Sequence, residues 1–179
     1  MKRLISFLNR ILLIAVIGVI FIYYNSLYAQ NKLRIGTFDS RAIAIAYFNS
    51  EYASASMEQF RKIKNDYREA IENKDTVKSK KLEREGQMRQ AMLHEKGFGT
   101  GSVRDCMAAI KDKVDNFAHQ EKFDVIISKW ELNYFNSNAE IVDITEQLAN
   151  LFQPKIKVKD MLNELMKSEP IKDAYLIED

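Results

Sequence analysis

Residues 52–96 contain too little apolar surface to be buried in a globular core, and this limits the folds open to the whole chain. Their apolar residues recur every three or four positions in two stretches, which predicts one narrow stripe on each of two helices. The residues between the stripes are charged or polar. The first stripe consists of Met57, Phe60, Ile63, Tyr67 and Ile71, and the second of Val77, Leu82, Met88 and Met92.

The link between the two stripes, Asn73–Thr76, has the composition of a turn. Two thinly apolar helices joined by a short link predict an antiparallel helical hairpin that projects outward, here called the arm. Residues 57–96 hold 11 basic and 8 acidic side chains. This composition is typical of a solvated face, and it also fits a basic tip that meets acidic partners or a membrane surface. The tip residues are Lys74, Lys78, Lys80 and Lys81.

The N-terminus predicts a location outside the cytoplasm. A basic start is followed by 14 apolar residues, Ile11–Tyr24, and by Ala29 after a short polar break. This is the layout of a signal peptide cleaved after residue 29, and the apolar run is short for a helix that spans a bilayer. An uncleaved N-terminal hydrophobic helix that tethers the chain to the inner membrane is the alternative, and a buried core helix is a third. Either leading interpretation makes the protein periplasmic.

The segments on both sides of the arm predict a small sheet. Leu33–Phe38 reads as a strand followed by a short buried helix over 41–49. Phe123–Leu151 reads as a buried strand at Val125–Ile127, a hairpin through 132–142, and a helix capped by Asp143. Residues 103–121 predict one amphipathic helix, and 153–179 a helical extension. The predicted fold class is therefore α+β, with a small, antiparallel-containing β-sheet body from which the arm projects.

This pattern resembles the Skp/OmpH family of periplasmic chaperones. The resemblance covers residues 30–152 and rests on the first strand, Leu33–Phe38, and on the segment from Phe123 to Leu151. Within that segment it is carried by the run Phe123–Ile127, by Tyr134 with Asn136 and Ser137, and by Asp143, Ile144, Thr145 and Leu148. The chain departs from the family in its shorter arm, its glycine-containing loop, its nearly neutral mature sequence and its extension beyond residue 152.

The resemblance implies a homotrimer in which three helical arms hold unfolded outer-membrane or secreted proteins without ATP or any other cofactor. The expected client contacts are the arm residues Met57, Phe60, Ile63, Tyr67, Leu82, Met88 and Met92. An alternative is a membrane-tethered structural or adaptor module of the same fold that binds one folded partner. Residues 30–179 hold 24 basic and 25 acidic residues, so their net charge does not favour nucleic acid.

Enzyme chemistry has little support in the sequence. The loop that follows the arm contains Gly97, Gly99 and Gly101, and its spacing matches neither a dinucleotide fingerprint nor a P-loop. A hinge that uses positive φ angles is favoured over a bound anion there. His94 and Trp130, with Asp39 near them, form the only ligand-binding or catalytic pocket that the sequence suggests at this loop. The single cysteine, Cys106, excludes an internal disulfide and is read as a buried apolar residue, and no metal site is predicted.

Overall fold

Three short strands, all parallel, form the centre of the described chain. The computed structural model describes residues 32–165 and 167–177, so the predicted signal peptide or membrane anchor lies outside the described residues. The strands are β1 (Arg34–Phe38), β2 (Val125–Ser128) and β3 (Glu140–Asp143). They lie in the order β2-β1-β3. Residue Ile35 of β1 is in register with Val125 on one side and Ile141 on the other.

Helices account for most of the remaining described residues. A 3-10 turn at Glu51–Ala53 precedes the second α-helix, and another at Ala174–Leu176 lies near the end of the chain. The α-helices are α1 (Ser40–Phe48), α2 (Ser54–Glu72), α3 (Thr76–Gly97), α4 (Arg104–Ala108), α5 (Lys111–Glu121), α6 (Thr145–Leu151) and α7 (Val158–Leu165).

The expected antiparallel pairing in the sheet is wrong. Strands β2 and β3 do not pair as a hairpin, because each pairs with β1 in the parallel sense. Residues 132–135, which resembled a strand, have no regular secondary structure and belong to the connection that carries the chain past β1 to its other side. The eleven-residue connection (129–139) makes that crossing and is close to the minimum of about a dozen residues that a parallel crossover needs. The fold is thus mostly helical, with a small parallel sheet.

One face of the sheet packs against the helices. Phe38, with Ile126 and Val142 from the neighbouring strands, contacts a core formed by residues of α1, α4, α5, α6 and α7. Gly36 lies on this face, where a Cβ atom would come within 2.5 Å of Ile144 Cδ1. The absence of a side chain at Gly36 therefore lets the segment that begins α6 approach β1 closely.

The amphipathic segment at 103–121 is two helices and not the single helix that its periodicity predicts. Helix α4 ends at Ala108, and α5 begins at Lys111. The break contains neither Gly nor Pro. It places Ile110, which is buried, in the core between the two helices. Tertiary packing of this residue determines the break, since no local signal accounts for it.

Helices α2 and α3 form the predicted hairpin and pack against each other. Lys74 closes the turn with a left-handed φ of 55°, and the amide of Asp75 donates to the carbonyl of Ala70. The Asp75 carboxylate then caps α3 by accepting from the amide of Lys78. No apolar residue of α2 or α3 belongs to the core cluster of the described chain. At its base, α3 packs against α1 and the 3-10 turn at Ala174–Leu176.

Candidate functional site

An apolar groove runs between α2 and α3 and reaches the body of the protein at its base. It encloses about 860 Å³. Phe60 and Ile63 line its first wall, Leu82 and Leu93 line its second, and Phe48 of α1 closes its base. The groove forms where two narrow apolar stripes pack against each other and no third helix among residues 32–165 and 167–177 covers them.

Five of the seven predicted client-contact residues lie in this groove. Met57, Phe60, Ile63 and Tyr67 come from α2, and Leu82 comes from α3. Each is partly buried, and none belongs to the core cluster. The sequence pattern therefore identified one continuous surface.

The two remaining methionines point elsewhere. Met88 does not line the groove and is 68% exposed. Met92 is also exposed, and it lines a smaller adjoining cleft together with Met57 and Phe60. The stripe of α3 is therefore rotated from its expected position: Leu82, Gly86 and Leu93 face the groove in place of Met88. Because Gly86 has no side chain, it leaves space in the groove wall.

The predicted basic tip is at the closed end of the hairpin. Lys74, Lys78, Lys80 and Lys81 are all exposed there. The groove itself contains one cation and one carboxylate, Lys64 and Glu83, among its lining residues. The positive charge of the hairpin therefore lies mainly outside the apolar groove and near its outer end.

The glycine loop is compact. None of the glycines that the structure describes has a positive φ, so this loop does not use the positive-φ freedom that its glycines provide. Gly97 is the last residue of α3. The amides of Gly99 and Gly101 donate to the carbonyls of His94 and Glu95, so in this conformation neither is available to a bound anion. A Cβ on either of these two glycines would lie 2.9 Å from the Glu95 carbonyl oxygen, and close approach to the helix end is what requires glycine there.

A cluster of polar side chains, separate from the groove, lies at the carboxyl ends of the strands. Asp39 follows β1 and accepts from Arg41 Nη2 at 2.8 Å and from Lys129 Nζ, which follows β2, at 2.9 Å. The Asp39 amide donates to Thr145 Oγ, which begins α6 after β3. Burial raises the pKa of Asp39, but the hydrogen bonds from Arg41 and Lys129 outweigh it and hold that pKa at about 2.

Trp130 does not line the groove that His94 and Gly97 line. Its ring lies beneath the Lys129 ammonium, 4.5 Å from the ring centre, and beneath the Arg41 guanidinium. Asp39 and Trp130 are thus near each other, as expected, through the cations that they share. His94 is buried, lines the groove and has its ring 5.7 Å from that of Phe98. Of the predicted pocket residues, His94 therefore belongs to the groove, and Trp130 belongs to the cluster around Asp39.

The reactive groups of the described chain are few. Cys106 is buried, as predicted, and burial raises the pKa of its thiol to about 12, so it stays protonated at neutral pH. Within residues 32–165 and 167–177, no cluster of His, Cys, Asp and Glu has a geometry that could hold a metal ion. In the same ranges, no helix combines the length and apolar content needed to cross a bilayer.

Comparison with protein-family models, with curated protein sequences and with solved structures finds no match for this chain. The resemblance to the Skp/OmpH family therefore stays a prediction.

Sequence reasoning missed the residues that close the base of the groove and the cluster at the strand ends. Phe48 belongs to the predicted short buried helix and packs against the core, but the sequence does not show that it also lines the groove, and Leu93 lies outside the apolar spacing of α3 that the sequence suggested. The cluster had a usable signal, since Asp39, Lys129 and Asp143 each end or follow a strand, and parallel strands bring their carboxyl ends to one edge. That signal could be read only after the strand directions were known.

Proposed function

We propose that this protein is an extracytoplasmic, ATP-independent holdase whose groove between α2 and α3 binds apolar segments of unfolded outer-membrane or secreted polypeptides. The observation that carries the proposal is the position of the groove. It holds Phe60, Ile63 and Leu82 outside the core and leaves them open to a ligand. The location outside the cytoplasm rests on the N-terminal sequence alone.

The dimensions of the groove suit a short extended segment. Met57 and Tyr67, at opposite ends of its α2 wall, are ten residues apart, which corresponds to about 15 Å along a helix. An extended chain of about four or five residues has this length. Apolar walls with a flexible thioether at Met57 favour adaptable packing over selection of one side chain.

Charge adds a second, weaker attraction. The hairpin has more basic than acidic residues, and the four lysines of its tip are exposed. Such a tip attracts acidic stretches of an unfolded chain over roughly 8 Å at physiological salt. We therefore expect client capture to weaken with added salt, and retention in the apolar groove to be less salt-dependent.

We also propose that the body self-associates into a homotrimer, as the resemblance implies. Val125 and Ile141 are in register with Ile35 on the sheet face opposite the helices, and both are exposed, as is Leu33 directly before β1. Within the described chain, β2 and β3 are the edge strands of the sheet. A second copy of this chain would cover an apolar face of this kind and pair with such edges.

The groove is tested by dilution of a denatured outer-membrane protein into buffer that contains the protein in molar excess, with aggregation followed by light scattering. We expect the parent protein to suppress scattering. Leu82→Lys introduces a charge into the groove wall, and we expect it to abolish most of that protection. Met88→Lys is the matched control, because it adds the same charge to the same helix at a position outside the groove.

Phe60→Ser on the opposite wall repeats the test without a new charge. Circular dichroism must show parent-like helix content in each variant. Parent protein that gives no protection at molar excess, or equal loss in Leu82→Lys and Met88→Lys, would overturn the proposal.

A further inference from the structure

The C-terminal extension contacts both places where the hairpin joins the body. After α6 the chain passes α7, which packs on α1 and α6 and buries Val158 in the core. It then runs past Arg41, whose guanidinium donates to the Ser168 carbonyl at 2.9 Å. It ends beside the base of α3, against which the 3-10 turn with the fully buried Ala174 packs. The extension thus crosses the body from the sheet to the arm.

The outgoing connection to the hairpin is held by Lys155. The Lys155 amide donates to the Asn49 carbonyl at 2.8 Å, directly after α1. Its ammonium pairs with Glu51 at 2.6 Å, but both side chains are about three-quarters exposed, so this ion pair adds little. Of the two Lys155 contacts at this connection, the backbone hydrogen bond is therefore the stronger.

The returning connection is held by Ile171. The Ile171 amide donates to the Phe98 carbonyl at 2.9 Å, directly after α3. Phe98 also lines the groove, so this bond links the extension to the base of the proposed binding surface. Asp173 adopts a left-handed φ of 55°, which turns the chain into the 3-10 turn against α3.

We infer that the extension is a clamp that fixes the orientation of the hairpin on the body by holding both of its connections. A hairpin attached through two short connections can pivot about them, and each connection loses that freedom when its carbonyl is bonded to a second segment. Loss of the hydrogen bond between Ile171 and Phe98 frees the returning connection, so that only the packing of α3 on α1 and on the 3-10 turn restrains the hairpin there.

The clamp is tested by the distance between spin labels at Lys78→Cys near the hairpin tip and Asn150→Cys on α6, in a Cys106→Ala background of the full chain. Ile171→Pro removes the amide donor to Phe98, whereas the matched control Ile171→Ala keeps it. We expect Ile171→Pro to broaden the distance distribution about twofold, as a released hinge does, and Ile171→Ala to leave it unchanged. A chain that ends at Pro170 should broaden it at least as much.

Thermal unfolding followed by circular dichroism separates loss of the clamp from loss of the fold. Parent-like melting with a broadened distribution supports the clamp. A parent-like distribution in both Ile171→Pro and the shortened chain overturns it, and so does global unfolding of Ile171→Pro, because the clamp contacts lie outside the core. The measurement uses no client, so it can fail or succeed independently of the holdase proposal.

Discussion

The Asp39 carboxylate is held between Arg41 and Lys129 at the end of β1 and makes stability depend on pH. Its pKa is about 2 in the folded chain and 3.8 without the contacts. Because folding lowers this pKa, the stabilisation is fully present above about pH 4 and is lost as pH falls towards 2, by about 2 kcal/mol. We expect the urea-unfolding free energy of the parent to fall between pH 5 and pH 2 by about that much more than that of Asp39→Asn.

The same substitution should destabilise the protein at neutral pH. Arg41 is buried, and Asp39→Asn leaves its guanidinium without a carboxylate, which costs about 3 kcal/mol. Glu131→Gln, which removes an exposed carboxylate near the same strand end, should change stability by less than about 0.5 kcal/mol. Equal unfolding free energies for the two variants at pH 7 would contradict this account of the cluster.

Lys74 occupies the left-handed position that ends α2, where a side chain is strained. Lys74→Gly should therefore raise the unfolding free energy by about 0.5–1 kcal/mol, because glycine adopts this conformation without a Cβ clash. Lys81→Gly removes the same charge from the interior of α3 and should lower it by about 1 kcal/mol. Urea denaturation of both variants measures the difference, and a loss of similar size at both positions would exclude strain at Lys74.

Residue roles were predictable from the sequence where one local pattern determined them. The periodicity of α2 placed Phe60 and Ile63 on the groove side, and the isolated Cys106 was correctly read as buried. The surroundings of Asp39 and Trp130 could not be predicted in detail, because Arg41 and Lys129 reach them only after separate strands align. Close approach, rather than positive φ, explains Gly99, and a sequence does not distinguish these two uses of glycine.

At the level of elements, strand positions were readable but strand directions were not. The runs at β1 and β2 are apolar enough to identify, whereas the chain between β2 and β3 has the composition of a hairpin. Antiparallel pairing of β2 and β3 would need only a tight turn, whereas parallel pairing with β1 needs a connection that crosses β1. Which path forms depends on how the rest of the chain packs on the sheet, and the local sequence does not show this. The break at Ile110 has the same origin, since burial of that side chain outweighs the helical periodicity around it.

The contact between β1 and the start of α6 gives an element-level prediction. In Gly36→Ala the new methyl group would overlap Ile144 Cδ1, so we expect a loss of about 1–3 kcal/mol. Ile144→Val removes that atom and alone should cost about 1 kcal/mol. In the double variant the 2.5 Å overlap is removed and the nearest approach is the 3.2 Å one to the Cγ1 atom of residue 144, so the combined loss should be smaller than the sum of the single losses. Chemical denaturation of the four proteins measures this coupling, and strict additivity would rule out the contact.

At the level of the whole molecule, the sheet face that carries Val125 is the surface through which we expect copies of the chain to associate into the proposed trimer. Val125 is 40% exposed beside Ile35, on the face away from the helices. Val125→Lys would place a charge in the interface of the proposed trimer, and a buried unpaired charge there prevents association. Sedimentation velocity of residues 30–179 should therefore give a trimer for the parent and a monomer for Val125→Lys.

The control for this measurement is the same substitution, valine to lysine, on the hairpin. Val77 is 81% exposed at the start of α3, far along the chain from the sheet, and Val77→Lys should sediment as the parent does. A monomeric parent at all concentrations would remove the trimer from the proposed function. A trimer that persists in Val125→Lys would contradict an interface that buries Val125.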